Sequence, residues 1–162
     1  MKKKYLAALV VVTVLGLAGC QKDVPFEYYE KEDGTITITK VKDNTVEEAV
    51  IPKKINGHKV TQMGDDFHWV FGECSNLEKV EIPDSVTTIG YCAFRECSSL
   101  ENIELPDSVT TIGGAAFLDC IGLESIEIPN GVAAIEDATF NGCRSLESIE
   151  IPESVTTIGE LA

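Results

Sequence analysis

Histidine is nearly absent: the 162 residues hold only His58 and His68. Neither stands in a spacing used for metal ligation or for activating a nucleophile, so no acid, base and nucleophile set is visible. There is no Gly-rich phosphate loop or Walker motif, and no basic stripe that could follow a phosphate backbone. Basic residues number 13 against 27 acidic ones, a net charge of −14. Three of the thirteen, Lys2, Lys3 and Lys4, fall in a leader expected to be removed, which leaves −17 over the remaining 143 residues. Such a chain repels nucleic acid and anionic membrane surfaces. Its field favours cationic partners or divalent cations, or else serves solubility alone. These absences point away from an enzyme and from any cofactor. At 44% apolar, a chain of this length suffices for one packed domain.

Residues 1–20 read MKKKYLAALVVVTVLGLAGC. A basic start precedes an uncharged stretch, 5–18, which is short for a membrane span of about 20 residues and fits the apolar region of a signal peptide. Residues 1–19 are therefore assigned to a signal peptide. The tetrapeptide Leu17-Ala18-Gly19-Cys20 resembles the bacterial lipobox. The resemblance implies that the Cys20 thiol receives diacylglycerol and that cleavage leaves Cys20 as the first residue. Two acyl chains suffice for stable anchoring, which places the protein on the outer side of a bacterial membrane. Residues 20–34 carry seven charged residues and Pro25, and read as lipid anchor and tether. The aromatic residues Phe26, Tyr28 and Tyr29 within them either belong to that tether or pack on the first coil.

Internal repetition is the strongest signal. Ile82-Pro83, Leu105-Pro106, Ile128-Pro129 and Ile151-Pro152 recur every 23 residues. Phe71, Phe94, Phe117 and Phe140 keep that spacing, as do Cys74, Cys97, Cys120 and Cys143. Leu77, Leu100, Leu123 and Leu146 form another column, and Ile89, Ile112, Ile135 and Ile158 a further one. Within one copy, Leu100-x-x-Ile103-x-Leu105 is the core of a leucine-rich repeat, and its two-residue period is that of a strand. Pro106 ends the strand, Asp107 and Ser108 supply a turn, and the stretch 109–112 is a second extended run. The segment 115–119 suits a single helical or 3₁₀ turn that lays Phe117 inward. The expected fold is a β-rich solenoid: a right-handed stack of 23-residue leucine-rich-repeat coils with short strands and single helical or 3₁₀ turns. Stacking buries what one coil cannot.

The first coil is longer. Val46, Ala49 and Ile51-Pro52 match the strand pattern, and the step from Pro52 to Pro83 is 31 residues, eight more than the repeat. The extra residues fall in 53–59 and 65–70. Upstream, Thr35-Ile36-Thr37-Ile38-Thr39 alternates as an edge strand. Residues 35–70 are read as an N-terminal capping coil and 71–162 as the repeats. The sequence stops at Ala162, halfway through a coil, which reads as a truncated repeat array or as an open end covered by a partner.

The columns Leu-x-x-Ile-x-Ile-Pro-x-x-Val-x-x-Ile-Gly-x-x-Ala-Phe-x-x-Cys closely resemble the BspA-like class of bacterial leucine-rich repeats. The resemblance covers 71–159 well and 35–70 loosely. It implies a surface protein that binds host extracellular proteins, host cells or other microbes, and it carries no catalytic residues over.

Two glutamate columns are the candidate ligand-binding residues: Glu78, Glu101, Glu124 and Glu147, and Glu81, Glu104, Glu127 and Glu150. The second points outward from the strands on the expected concave face. It selects a basic peptide or a divalent cation, or is a solvated face that keeps the sheet from sticking to other sheets. The stacked cysteines form a line, not the convergent tetrahedron zinc needs, and their parallel side chains disfavour disulfides, so no metal site is expected. Phe67, Trp69 and Phe71 form an aromatic cluster that covers the first coil or offers a contact patch. The reading is a lipid-anchored cell-surface module that contacts an extracellular or host protein of basic character, with no nucleic-acid partner. Its alternative is a truncated structural stub that self-associates or joins another chain through the open C-terminal coil.

Overall fold

The computed structural model describes residues 26–162. The expected signal peptide, 1–19, and the lipidation candidate Cys20 lie outside them. Twelve short strands and no helix are found among the described residues. The cap supplies β1 (Phe26–Glu30), β2 (Ile36–Val41), β3 (Glu48–Val50), β4 (Lys54–Ile55) and β5 (His58–Met63). The repeats supply β6 (Lys79–Glu81), β7 (Thr88–Ile89), β8 (Asn102–Ile103), β9 (Thr111–Ile112), β10 (Ser125–Ile126), β11 (Ala134–Ile135) and β12 (Thr157–Ile158). They wind into a solenoid of about five turns.

Parallel ladders run along the stack. One joins β3 to β6, with Ala49 opposite Val80, and β8 to β10, with Ile103 opposite Ile126. A second joins β5, β7 and β9 through Met63, Ile89 and Ile112, and β11 pairs with β12 beyond it. The one-in-two alternation forces this: Val80, Ile103 and Ile126 turn into the core while their neighbours face water.

The expected single turn survives as isolated i→i−3 turns, interleaved with a third ladder between coils. Phe71, Phe94 and Phe117 donate their N–H groups to the carbonyls of Ala93, Ala116 and Thr139 on the next coil, at 2.8, 2.8 and 3.0 Å. Glu73, Glu96 and Asp119 do the same to Arg95, Leu118 and Asn141. The intervening N–H groups close isolated turns, such as Arg95 to Cys92 and Cys97 to Phe94. A helix would need every N–H within its own segment, but here alternate ones serve the neighbouring coil. Left-handed residues also interrupt each turn: Cys92, Ala115 and Ala138 at φ of 52°, 54° and 54°, and Glu73, Glu96 and Asp119 at 66°, 60° and 57°.

This third side buries the phenylalanine column as a stack. Centroids lie 5.4, 5.3 and 5.5 Å apart from Phe71 to Phe140, with planes within 13°. The cysteines behind it are free and donate across coils: Cys97 Sγ to Phe71 O at 3.1 Å, Cys120 to Phe94 O at 2.9 Å and Cys143 to Phe117 O at 3.2 Å. Desolvation pushes the Cys74 and Cys143 thiols up to about 11 and Cys120 to about 12, with Cys97 raised further. The thiols are therefore protonated donors.

The cap departs from its sequence reading in two places. Residues 26–30 of the expected tether are strand β1, antiparallel to β2. Phe26 is buried and meets Phe71 edge-on at 6.2 Å, which ends the ring stack. The expected edge strand is accordingly interior: β2 lies between β1 and β5, and Ile36, Thr37 and Ile38 are buried. The longer segment at 53–59 forms a hairpin, β4–β5, turned by Asn56 and Gly57 at φ of 53° and 88°, as a two-residue loop requires. It clasps the first hairpin: Asn56 Nδ2 donates to Tyr28 Oη at 3.0 Å, and His58 Nδ1–H to Gly34 O at 2.8 Å.

Candidate binding face

Each strand of the first ladder is short because proline follows shortly after its inward side chain, at Pro83, Pro106 and Pro129. The outward positions are thereby fixed in rows. One row reads Glu48, Lys79, Asn102, Ser125 and Ser148, and the next Glu81, Glu104, Glu127 and Glu150. All eight candidate glutamates are solvent-exposed. Six of them, Glu78, Glu81, Glu101, Glu104, Glu127 and Glu150, line one open groove of about 1500 Å³. Glu124 and Glu147 do not line it. Glu48 does, although sequence reading left it out; the match of Val46, Ala49 and Ile51-Pro52 to the later strands already placed it opposite Lys79.

Among the described residues, Lys79 is the single basic one lining the groove. Its Nζ lies 3.0 Å from Glu81 Oε1. The hydrogen bond and charge of Glu81, then the charges of Glu48 and Glu104, raise its pKa and keep it protonated. The neutral row is self-satisfied further on, where Ser125 Oγ donates to Asn102 Oδ1 at 2.5 Å. The groove is thus charge-compensated at its first rungs and purely acidic at Glu104, Glu127 and Glu150. Adjacent rungs about 4.8 Å apart bring like charges together, and a cationic partner relieves that repulsion. Among the described residues no group of three or more His, Cys, Asp or Glu side chains is arranged to hold a metal ion.

The histidines and aromatic cluster divide differently from the sequence reading. Phe71 is core, while Phe67 and Trp69 are not: Phe67 is 81% exposed and Trp69 38%. His68 Nδ1–H donates to Asp65 Oδ1 at 2.7 Å. Burial alone would raise the Asp65 pKa, but bonds from Phe67 N–H, His68 and Tyr29 outweigh it and hold the carboxyl below its ordinary value.

Comparison with known proteins agrees with this architecture. The sequence model of the BspA type Leucine rich repeat region, in six copies, matches residues 68–162. The crystal structure of a leucine-rich repeat protein of T. pallidum is similar at 27% identity and a TM-score of 0.53, covering 83% of each chain. A leucine-rich repeat protein of Eubacterium ventriosum is similar in fold, with 20% identity and a TM-score of 0.56 over 82% of this chain and 48% of that one. No curated protein matches. Repeats of this kind are associated with protein–protein contact. The chain belongs to the BspA-type leucine-rich-repeat family.

Proposed function

We propose that the protein is a cell-surface binding module, held to a bacterial membrane by lipid on Cys20, whose strand face grips an extended cationic segment of an extracellular or host protein. One observation carries the reading: Glu104, Glu127 and Glu150 stand on successive rungs of one groove, beyond the Lys79–Glu81 pair. A rigid face with repeated carboxylates presents its charges without further ordering, which favours a partner of repeated basic residues. The test is binding of a basic decapeptide to the wild-type protein and to a Glu104→Gln/Glu127→Gln variant. Affinity is expected to fall about tenfold or more, given about 1.4 kcal/mol per decade. Equal affinity contradicts the reading. Separately, Cys20→Ser is expected to move the protein from the membrane fraction to the soluble one.

A second reading is supported by the rung of Ile158 and Leu161, which are 61% and 75% exposed. In it the protein works by joining another chain, or its own copy, through that rung. Sedimentation equilibrium distinguishes the two: self-association abolished by Ile158→Ser favours the second.

A further inference from the structure

We propose that the cap rests on the bilayer that holds the lipid anchor, through Phe67 and Trp69, and that this contact stands the acidic repeats away from the membrane. The inference rests on the reading of Cys20 as lipidated.

The loop 65–69 offers aromatic surface that the fold does not use. Phe67 is 81% exposed, and Trp69 keeps an open face while Arg95 Cζ sits 5.1 Å from its ring centroid. The loop is nonetheless tightly built. Asp65 Oδ1 accepts from Phe67 N–H at 2.9 Å and His68 Nδ1–H at 2.7 Å, and Oδ2 accepts from the Tyr29 hydroxyl at 3.0 Å. Asp65 and His68 also pair through their backbones. So Phe67 is held outward, not left there by slack. Arg95 is itself paired with Glu96 at 2.6 Å, so it is the two rings, Phe67 and Trp69, that suit the headgroup boundary, where aromatic side chains bury.

The chain also enters the fold beside this loop. Val70, the residue after Trp69, accepts from Val41 N–H at 2.9 Å, and Val41 pairs with Phe26. Phe26 is six residue steps from Cys20, a reach of at most about 20 Å even fully extended. A lipid on Cys20 therefore keeps this end of the solenoid close to the headgroups.

Charge is segregated in the matching sense. Residues 26–70 carry six lysines and nine acidic residues, net −3. Residues 71–162 carry three basic and seventeen acidic residues, net −14. A leaflet containing anionic lipid repels the repeats strongly and the cap weakly, which orients the cap toward it.

Trp69 is the only tryptophan in the chain, so its emission reports this loop alone. The experiment uses the full chain, lipidated in a bacterial host and reconstituted into phosphatidylcholine–phosphatidylglycerol vesicles with brominated acyl chains. Flotation reads anchoring, and bromine quenching reads docking. The expected result is co-flotation with blue-shifted, quenched Trp69 emission, and Phe67→Ser that floats equally but loses most of the quenching. Phe67 is exposed, so this variant leaves the core intact. Co-flotation with unquenched Trp69 overturns docking while anchoring stands. Failure to float overturns the anchoring reading and the docking with it.

Discussion

The cap and the repeats are built by different rules. In the repeats, each coil meets the next through the same backbone ladders and the same stacked ring, so a contact made once is made again 23 residues later. In the cap, contacts occur once: Tyr29 to Asp65, Asn56 to Tyr28, His58 to Gly34. Repetition gives the stack its register and the glutamate row of its strand face. The single contacts end the stack, with Phe26 turned edge-on where another stacked ring would otherwise invite a further coil. The cap carries the less acidic surface, net −3 over residues 26–70, and the exposed rings of Phe67 and Trp69.

Cap and repeats are expected to differ most at the ring stack. Phe94 is fully buried between two rings, and Phe94→Ala is expected to cost about 3–5 kcal/mol, read by chemical denaturation. Phe26 has one ring neighbour, so Phe26→Ala is expected to cost less and to raise amide exchange in β1 and β2 before the repeats. Equal global losses would mean that cap and stack unfold as one unit.

Glycines give the next contrast. A Cβ at Gly113 would lie 2.7 Å from Tyr91 N and 2.8 Å from Gly90 C, so Gly113→Ala must push neighbouring coils apart, at about 1–3 kcal/mol. Gly57 meets nothing within 4 Å, and Gly57→Ala is expected to cost only about 1 kcal/mol for its left-handed backbone.

Thiol reactivity reports how deeply the repeats are packed, without altering stability. Alkylation at pH 8, followed by mass spectrometry, is expected to spare Cys74, Cys97 and Cys120 in the folded protein. Cys143, only partly buried on the outermost described rungs, is expected to react first. Rapid labelling of Cys97 would contradict the buried ladder.

The smallest effect belongs to Asp65. Its folded pKa lies below the ordinary 3.8, so its contribution is present above that value and is lost as pH falls through the folded one. Acid titration should therefore shift Trp69 emission in that range while the far-ultraviolet signal of the repeats persists.

The repeats were legible because their periodicity repeats each residue's environment: the columns at Phe71, Cys74 and Leu77 state their own burial four times over. The groove followed, since outward positions are set by the inward ones. The cap was not legible to the same degree. That β1 pairs with β2, and that β2 is interior, depends on Phe26 reaching Phe71 across 45 residues, which no local pattern encodes. The left-handed residues at Cys92, Ala115 and Ala138 were hidden because none is a glycine. Glu48 was missed because its column partner Lys79 carries the opposite charge, so the row does not read as one kind of residue.

The central claim, that the strand face recognises cationic segments by charge, is tested most directly by the salt dependence of basic-decapeptide affinity. Between about 0.05 and 0.5 M salt the screening length falls to a few ångströms, and affinity is expected to drop steeply, with the drop flattened in Glu104→Gln/Glu127→Gln. An affinity indifferent to salt, or a slope unchanged by the two substitutions, would contradict it.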